Sequence, residues 1–356
     1  MGSPQGMLDR MEAAGRADRS TQAVCLACGE VVNAGALEVF HGVSRYACAG
    51  CDLHFWHPVA MPDAAWYETA YQGRDRTAMP LEPGHRFFLA DPKAPRHGRL
   101  LDLGCGTGNF LAAARDAGFD VTGVEFDSSA VHFAREHYGL RRVFAQRPED
   151  FRAAHPQEQF DVVTFFEVLE HQEHPRQFLS VAKDCLAAGG FLALSVPNRE
   201  RWQKGVETLD YPPNHLTRWS PRSLGTFLER NGFEILSMRQ EPLGIRRAAG
   251  VLSMGLRTGL VTRVAGERPP TLTDLSEMNP DEMERAMKRL SEHRGHRLAA
   301  VLAHWKNLAM MPLAALLLPY LRLRGYTGLY LYCLARQRNP LSRGAASTAA
   351  TLGGAA

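Results

Sequence analysis

The segment Arg99-Leu-Leu-Asp-Leu-Gly-Cys-Gly-Thr-Gly108 runs from an apolar strand pattern directly into alternating glycines. Arg99 to Leu103 reads as a strand, and Asn109 to Ala117 as the helix that follows. Gly104, Gly106 and Gly108 let the backbone turn sharply and approach a ligand closely, with the next helix N-terminus facing it. The spacing is G-x-G-x-G, whereas the dinucleotide fingerprint is G-x-G-x-x-G. A second strand, Asp120 to Glu125, ends in an acidic residue 17 positions beyond Gly108. A carboxylate at that strand end can accept hydrogen bonds from both hydroxyls of a ribose.

Outward from this point, strands and helices alternate, which argues for a parallel, doubly wound α/β sheet. Ser128 to Tyr138 reads as a helix and Arg142 to Phe144 as a short strand. Phe160 to Phe166 is nearly all apolar, as a strand buried on both faces should be. Pro175 to Leu186 is helical, stopped by Ala188-Gly-Gly190, and Phe191 to Val196 is a strand. Ser220-Pro221 opens a helix that ends at Asn231-Gly232, before a strand from Phe233 to Met238. The aromatic and aliphatic run Gly328 to Ala335 reads as the last strand.

Four stretches in this order carry a family resemblance: Leu100-Leu-Asp-Leu-Gly-Cys-Gly-Thr-Gly-Asn109, Gly123-Val-Glu125, Phe160-Asp-Val-Val-Thr-Phe-Phe-Glu-Val-Leu-Glu-His171 and Leu186-Ala-Ala-Gly-Gly190. Together they resemble class I S-adenosylmethionine-dependent methyltransferases, in particular the branch of the ubiquinone-biosynthesis O-methyltransferases. The resemblance covers about residues 99–240. It implies a Rossmann-like sheet of seven strands with the last one antiparallel. It also implies that Gly104, Cys105, Gly106 and Gly108 form the loop against the methionine part of S-adenosylmethionine, with Asp102 orienting that loop. Glu125 would hold the ribose, and Phe126 with the turn from Gln146 to Glu149 would flank the adenine. Phe166 and Glu167 would border the methyl group. Many relatives place an Asp after the third strand, where this chain has Ala145-Gln146.

Four cysteines precede this core, as Cys25-Leu-Ala-Cys28 and Cys48-Ala-Gly-Cys51. The spacing fits two zinc knuckles, and four sulfurs close a tetrahedron with no position left for water, so the expected role is structural. Zinc would supply about 10–16 kcal/mol of folding energy to a segment with little core of its own. Glu38 to Tyr46 reads as strand, turn, strand between the pairs. The ribbon carries one Arg, no Lys and two Glu over residues 25–51. It therefore lacks the cationic footprint of a nucleic-acid binder.

An oxygen or acidic carbon acceptor needs a base as well as in-line positioning. Glu170 and His171, at the carboxyl end of the strand ending in Phe166, are one candidate group. In some ubiquinone-type relatives the groups matching Glu167, Glu170 and His171 bind a divalent ion; the alternative is that Glu170 and His171 brace the loop. His215, in the proline-stiffened loop Asp210-Tyr-Pro-Pro-Asn-His-Leu-Thr-Arg-Trp-Ser220, is the other candidate, as a general base or as a residue that only closes the pocket. Trp219, Tyr211, Trp66, Tyr67 and Tyr71 are either pocket walls or core. Ser195-Val-Pro-Asn198 departs from the Asn/Asp-Pro-Pro-aromatic motif of many amine methyltransferases.

The chain of 356 residues is 45% hydrophobic and 22% charged, with a formal charge of 41 − 38 = +3, which excludes whole-chain disorder and a wholly cationic surface. Seven cysteines are too few for a disulfide scaffold at this length. With no apolar leader pattern at the start, the expected compartment is the cytoplasm. The organisation expected is a disordered stretch at 1–22, a zinc ribbon at 23–58, a helical linker or lid at 59–98, and a cofactor-binding core at 99–239. A helical insertion at 240–325, the last strand at 326–338 and a disordered tail at 339–356 follow. Asn279-Pro-Asp-Glu282 is a strong helix start within the insertion.

Leu308 to Leu321 is apolar, and from His293 onward there are eight Arg or Lys and no Asp or Glu. Interrupted by two prolines, that stretch is too short and broken to span about 30 Å of hydrocarbon. Peripheral contact of 300–325 with the inner face of a membrane, a lid over an apolar acceptor and a packing or dimer helix all fit it. The leading expectation is O-methylation of a hydrophobic, lipid or lipid-linked glycan acceptor, with a small molecule or lipid as the partner. The alternatives are a sugar or natural-product C-methyltransferase, an RNA methyltransferase and a non-catalytic cofactor-binding scaffold. Nucleic acid is disfavoured as a partner, and the sequence leaves the oligomeric state open.

Overall fold

The computed structural model describes residues 22–40, 43–58, 80–202, 210–212, 214–253 and 296–338, with side chains from 308 onward in the last of these. The expected disordered ends, the aromatic residues Trp66, Tyr67 and Tyr71, and the helix start at Asn279 lie outside the described residues.

Two sheets organise the described residues. The larger contains β4 (Gly98–Leu103), β5 (Phe119–Glu125), β6 (Val143–Ala145), β7 (Phe160–Phe166), β8 (Leu186–Pro197), β10 (Phe233–Pro242) and β11 (Thr327–Gln337). The smaller contains β1 (Glu38–Phe40), β2 (Val43–Ala47), β3 (His54–His57) and β9 (Thr217–Arg218). Helices α1 (Pro83–Ala90), α2 (Asn109–Asp116), α3 (Ser128–Tyr138), α4 (Pro148–Ala154), α5 (Pro175–Asp184), α6 (Pro221–Arg230) and α7 (His296–Leu323) connect and cover them.

The seven-stranded sheet has the order β10-β11-β8-β7-β4-β5-β6. The first five of its strands in the chain pair in parallel, while β11 runs antiparallel between β8 and β10. The expected seven-stranded α/β architecture with an antiparallel last strand is the one found. From β4 the chain builds outward through β5 and β6, then returns to place β7 on the other side of β4. Open α/β sheets bind ligands at such a reversal, outside the carboxyl ends of the strands.

Alternation along the central strands sends neighbouring residues to opposite faces. Leu101, Leu103, Val163 and Phe165 enter one core, and Leu100, Val162 and Phe166 the other. The first core also takes in Cys25, Cys48, Cys51 and Phe55, so the ribbon is packed against the sheet's covering layer rather than held apart.

Two local expectations change. The glycines at 189–190 lie inside β8, not at a helix stop: α5 ends at Asp184, and the pairing with β7 skips from Leu186 to Phe191. Gly189, at φ +72°, lets the strand absorb the extra residues as a bulge. The apolar stretch is also not broken by its prolines, since Pro312 and Pro319 sit inside α7. They are seven positions apart and both exposed, on the side where water can take over freed carbonyls. The opposite side buries Ala314 and Leu321 against Leu243, Ala248 and Ala249. Among the described residues no helix is long and apolar enough to cross a membrane.

Candidate functional site

The loop after β4 closes over the carboxyl ends of the strands. Gly104 has φ +81°, and a Cβ there would lie 2.7 Å from Val168 Cγ2, so a side chain is excluded on both counts. Gly106 has φ +51° but a Cβ there would meet nothing within 4 Å, so this side of the loop faces open space. Cys105 turns the other way and is buried, 5% exposed. Its thiol packs where a Cβ on Gly123 would meet Sγ at 2.7 Å. Asp102 is buried below the loop, where Thr164 Oγ1 donates to its Oδ1 at 2.7 Å. Desolvation pushes its carboxyl up to about 7.

Glu125 is held at the tip of β5 by two backbone donors. Gly106 N–H donates to Oε2 and Asp127 N–H to Oε1, each at 3.0 Å. The ribose candidate is thereby tied to the glycine loop itself. Phe126 stands exposed beside it. Gln146 N–H donates to the Glu125 carbonyl at 3.0 Å, and the buried Gln146 Oε1 has no hydrogen-bond partner among the described residues. Glu149 is on the outer first turn of α4, 3.9 Å from Arg147. The geometry thus brings Phe126 and Gln146 to Glu125 and leaves Glu149 at the surface.

Phe166 and Glu167 end β7. The Phe166 ring meets His85 and Phe110 edge-on at 4.8 Å each. Glu167 has φ +55°, a conformation that a residue with a Cβ seldom adopts. Ser195 Oγ donates to its Oε1 at 2.7 Å, and burial raises the carboxyl to about 8.

Helix α1 lies within the helical linker or lid expected at 59–98, but the sequence singles out none of its residues for the site, and it covers this floor. A Cβ on Gly84 would lie 2.5 Å from Ser195 Oγ, so the helix rests directly on the ends of β7 and β8. His85 stacks on Phe110, and burial lowers it to about 4, which leaves it neutral. Its Nδ1 accepts from Glu82 N–H at 3.2 Å.

A second cluster lies beyond Glu167. Glu170 is 1% exposed and neither carboxylate oxygen has a hydrogen-bond partner among the described residues. Its Oε1 is 3.7 Å from His171 Nε2. His171 Nδ1 meets the Asn214 carbonyl, and burial lowers the imidazole to about 4. The His215 ring centroid is 5.0 Å from that of His171. His215 Nδ1 faces Asp210 Oδ1 at 3.5 Å, while Asp210 Oδ2 pairs with Arg201 and, at 3.4 Å, with Arg218. Asp210 belongs to the loop that carries His215, yet only the folded distances reveal it as the group facing that imidazole. The remaining aromatics of this loop are packing groups. Trp219 is buried against Phe227, and Tyr211 is wedged between Phe40 and Trp56 with its hydroxyl donating to Glu38.

The four ribbon cysteines are free thiols whose sulfurs converge: Cys25 to Cys51 and Cys28 to Cys48 are each 3.5 Å apart. Zinc–sulfur bonds of about 2.3 Å in a tetrahedron put sulfurs about 3.8 Å apart, so the residues fit a zinc ion. A disulfide would need about 2.05 Å.

Asp102 and Glu167 give the apo protein a pH dependence. Both have folded-state values raised above those of the unfolded chain, so their neutral forms favour the fold. That contribution is complete at low pH and is lost as pH rises through about 7 and 8. The melting temperature of the apo protein is expected to fall as pH rises from about 4 to about 8 and to level off above that. Calorimetry showing a flat profile there would overturn this account.

A family profile described as "Methyltransferase domain" matches residues 72–238. A Mycolicibacterium smegmatis protein named "Probable S-adenosylmethionine-dependent methyltransferase" is 28% identical over 52% of this chain and 73% of its own length. A ubiquinone biosynthesis O-methyltransferase of Thiobacillus denitrificans is 36% identical over 32% of this chain. The chain spans about half, 51%, of that relative's length. A solved S-adenosylmethionine-dependent methyltransferase of Archaeoglobus fulgidus aligns over 78% of this chain and all of its own, at 17% identity and a TM-score of 0.42. With the sheet order and the glycine loop, the matched residues 72–238 are a class I S-adenosylmethionine-dependent methyltransferase domain, carried behind a four-cysteine ribbon.

Proposed function

We propose that the chain methylates an oxygen of an apolar acceptor, with His215 as the general base. The observation that carries this reading is the placement of His215 at the ligand edge of the sheet with Nδ1 against buried Asp210. A carboxylate on one ring nitrogen fixes the tautomer and leaves Nε2 with the lone pair. Gly106 and Glu125 would hold S-adenosylmethionine, and Gln146 Oε1, without a partner among the described residues, suits the adenine amino group. When bound, the cofactor supplies an electrophilic methyl on a cationic sulfur. His215 Nε2 would take the acceptor's hydroxyl proton as the oxygen is methylated, which leaves the imidazole cationic against Asp210. The neutral His85 and the aromatic pair Phe110 and Phe166 keep water from the floor.

An apolar acceptor is favoured by the outer side of α7. Leu313, Leu316, Tyr320 and Leu323 are 42%, 77%, 57% and 87% exposed, with Arg324 also exposed at the end of the helix. Lipids or lipid-linked glycans at an anionic membrane surface match that face. The experiment is transfer of tritiated methyl from S-adenosylmethionine into a host-cell lysate, followed by organic–aqueous partition. Label in the organic phase is expected. Label confined to RNA or to aqueous sugars would overturn the lipid reading.

A second reading is favoured by the buried Glu170 carboxylate, which has no hydrogen-bond partner among the described residues. Glu170, His171 and His215 offer ligand atoms all within 4.8 Å of one another, a set that fits a divalent ion. Glu167, expected among the ligands, falls outside this group, with its Oε1 bonded to Ser195. Such an ion would ease ionisation of the acceptor hydroxyl, and His215 Nε2 would then be a ligand rather than the base. Metal analysis separates the two: one ion per chain, in the ribbon, for the base reading, and a second one lost in His171→Ala for the ion reading.

A further inference from the structure

We infer that the four-cysteine ribbon is a positioning device for the loop that carries His215, so that zinc in the ribbon sets the competence of the base at a distance. The inference rests on the assignment of His215 as base. Residues 210–212 and 214–220 lie between the ribbon and the core, and the ribbon bonds them at several points. β3 and β9 form an antiparallel pair, with His54 opposite Arg218 and Phe55 opposite Thr217. Trp56 N–H donates to the Leu216 carbonyl at 3.0 Å, next to His215. Trp56 Nε1–H donates to the Asp210 carbonyl at 3.2 Å, fixing the residue whose carboxylate faces the imidazole. From the core side, Leu216 N–H donates to the Glu170 carbonyl at 2.8 Å. The loop is therefore clamped between β3 and the turn at Leu169–His171.

The clamp begins at the second cysteine pair. Asp52 follows Cys51 directly, and its φ of +64° is part of the knuckle that Cys48 and Cys51 close. Its N–H donates to the Cys48 carbonyl at 2.9 Å. Its carboxylate then pairs with Arg199 and accepts from Ser220 Oγ at 2.6 Å, at the residue that caps α6. A segment of a few short strands has little stability of its own, and zinc would be its largest ordering term. Without zinc, β3 would keep its register through pairing with β2 and the burial of Phe55 and Trp56 alone, and β9, only two residues long, pairs with no other strand among the described residues. The glycine loop and Glu125 are on β4 and β5 and make none of these contacts. Asp210, Trp56 and the cysteines are thus positioning residues, while the cofactor site stands apart from them.

The test uses the full chain and reads three quantities: amide hydrogen exchange, affinity for S-adenosylhomocysteine, and kcat with a responsive acceptor. Removing zinc with a chelator is expected to speed exchange at Trp56 and Leu216 at least tenfold and to lower kcat at least tenfold. Exchange in β4 and β5 and the cofactor affinity should stay within twofold, and added zinc should restore the rate. Unchanged exchange at 210–218 would overturn the inference. So would joint collapse of β4 protection and cofactor affinity, which would make the ribbon a general staple of the fold.

A single-residue arm avoids zinc removal. Trp56→Phe keeps a ring but deletes the Nε1 donor; it should retain zinc and cofactor affinity and lose about tenfold in kcat. In a His215→Ala background the same change should cost nothing further. An equal additional loss there would show that Trp56 acts elsewhere and overturn the inference. Full activity of His215→Ala alone would overturn the base assignment, and the catalytic half of this inference with it, while the exchange data would still report the clamp.

Discussion

Glu125→Ala is expected to weaken S-adenosylmethionine binding at least about a hundredfold, with the fold retained. The two ribose hydroxyls would each donate to a charged acceptor, and such bonds contribute about 1.5–3 kcal/mol apiece. A loss of about 3 kcal/mol corresponds to about a hundredfold in Kd. The carboxylate also accepts from Gly106 and Asp127 N–H groups, so its removal loosens the loop that must approach the cofactor. Helix α3 should survive, because Asp127 caps it independently through the N–H groups of Ser129 and Ala130. Glu125→Gln keeps an acceptor but adds a donor facing those amides and should fall in between. Titration calorimetry is the measurement. An alanine variant that binds as tightly as the native chain would remove Glu125 from the cofactor site.

The core was legible because strands buried on both faces leave continuous apolar runs such as Phe160–Phe166, and because the glycine loop and Glu125 mark two adjacent strand ends. What escaped depends on long-range pairing. Thr217–Arg218 becomes a strand only because β3 lies alongside it, and two residues carry no periodicity of their own. Glu82 caps, and His85 lies in, the short helix beginning Pro83-Gly84; it falls in the expected helical linker or lid, but nothing in its pattern says that it will lie on the ends of β7 and β8. Asp210 was visible as a residue of the His215 loop, but facing His215 while balancing two buried guanidinium groups is a matter of folded distances. The prolines of α7 misled for an energetic reason. Each costs about 3 kcal/mol in an isolated helix, and burial of Ala314, Leu321 and their partly buried neighbours on the opposite side offsets that cost.

His215→Ala is expected to lower kcat by about a hundredfold to ten-thousandfold, the range over which a positioned general base contributes, with cofactor affinity unchanged. The folded chain should tolerate the change, because Asp210 keeps Arg201 and Arg218 as partners and no buried carboxylate is stranded. Asp210→Asn is the instructive contrast. It leaves the imidazole in place but removes the anion that orients Nδ1 and would stabilise the imidazolium formed as the acceptor loses its proton. It also leaves two buried guanidinium groups without their shared counter-ion. This variant should therefore lose both rate and stability, whereas His215→Ala loses rate alone. Melting temperature and kcat measured together on the pair separate the roles. If His215→Ala turns over at the native rate, proton removal belongs elsewhere. If its rate falls together with loss of a second bound metal, the imidazole was holding an ion rather than taking a proton.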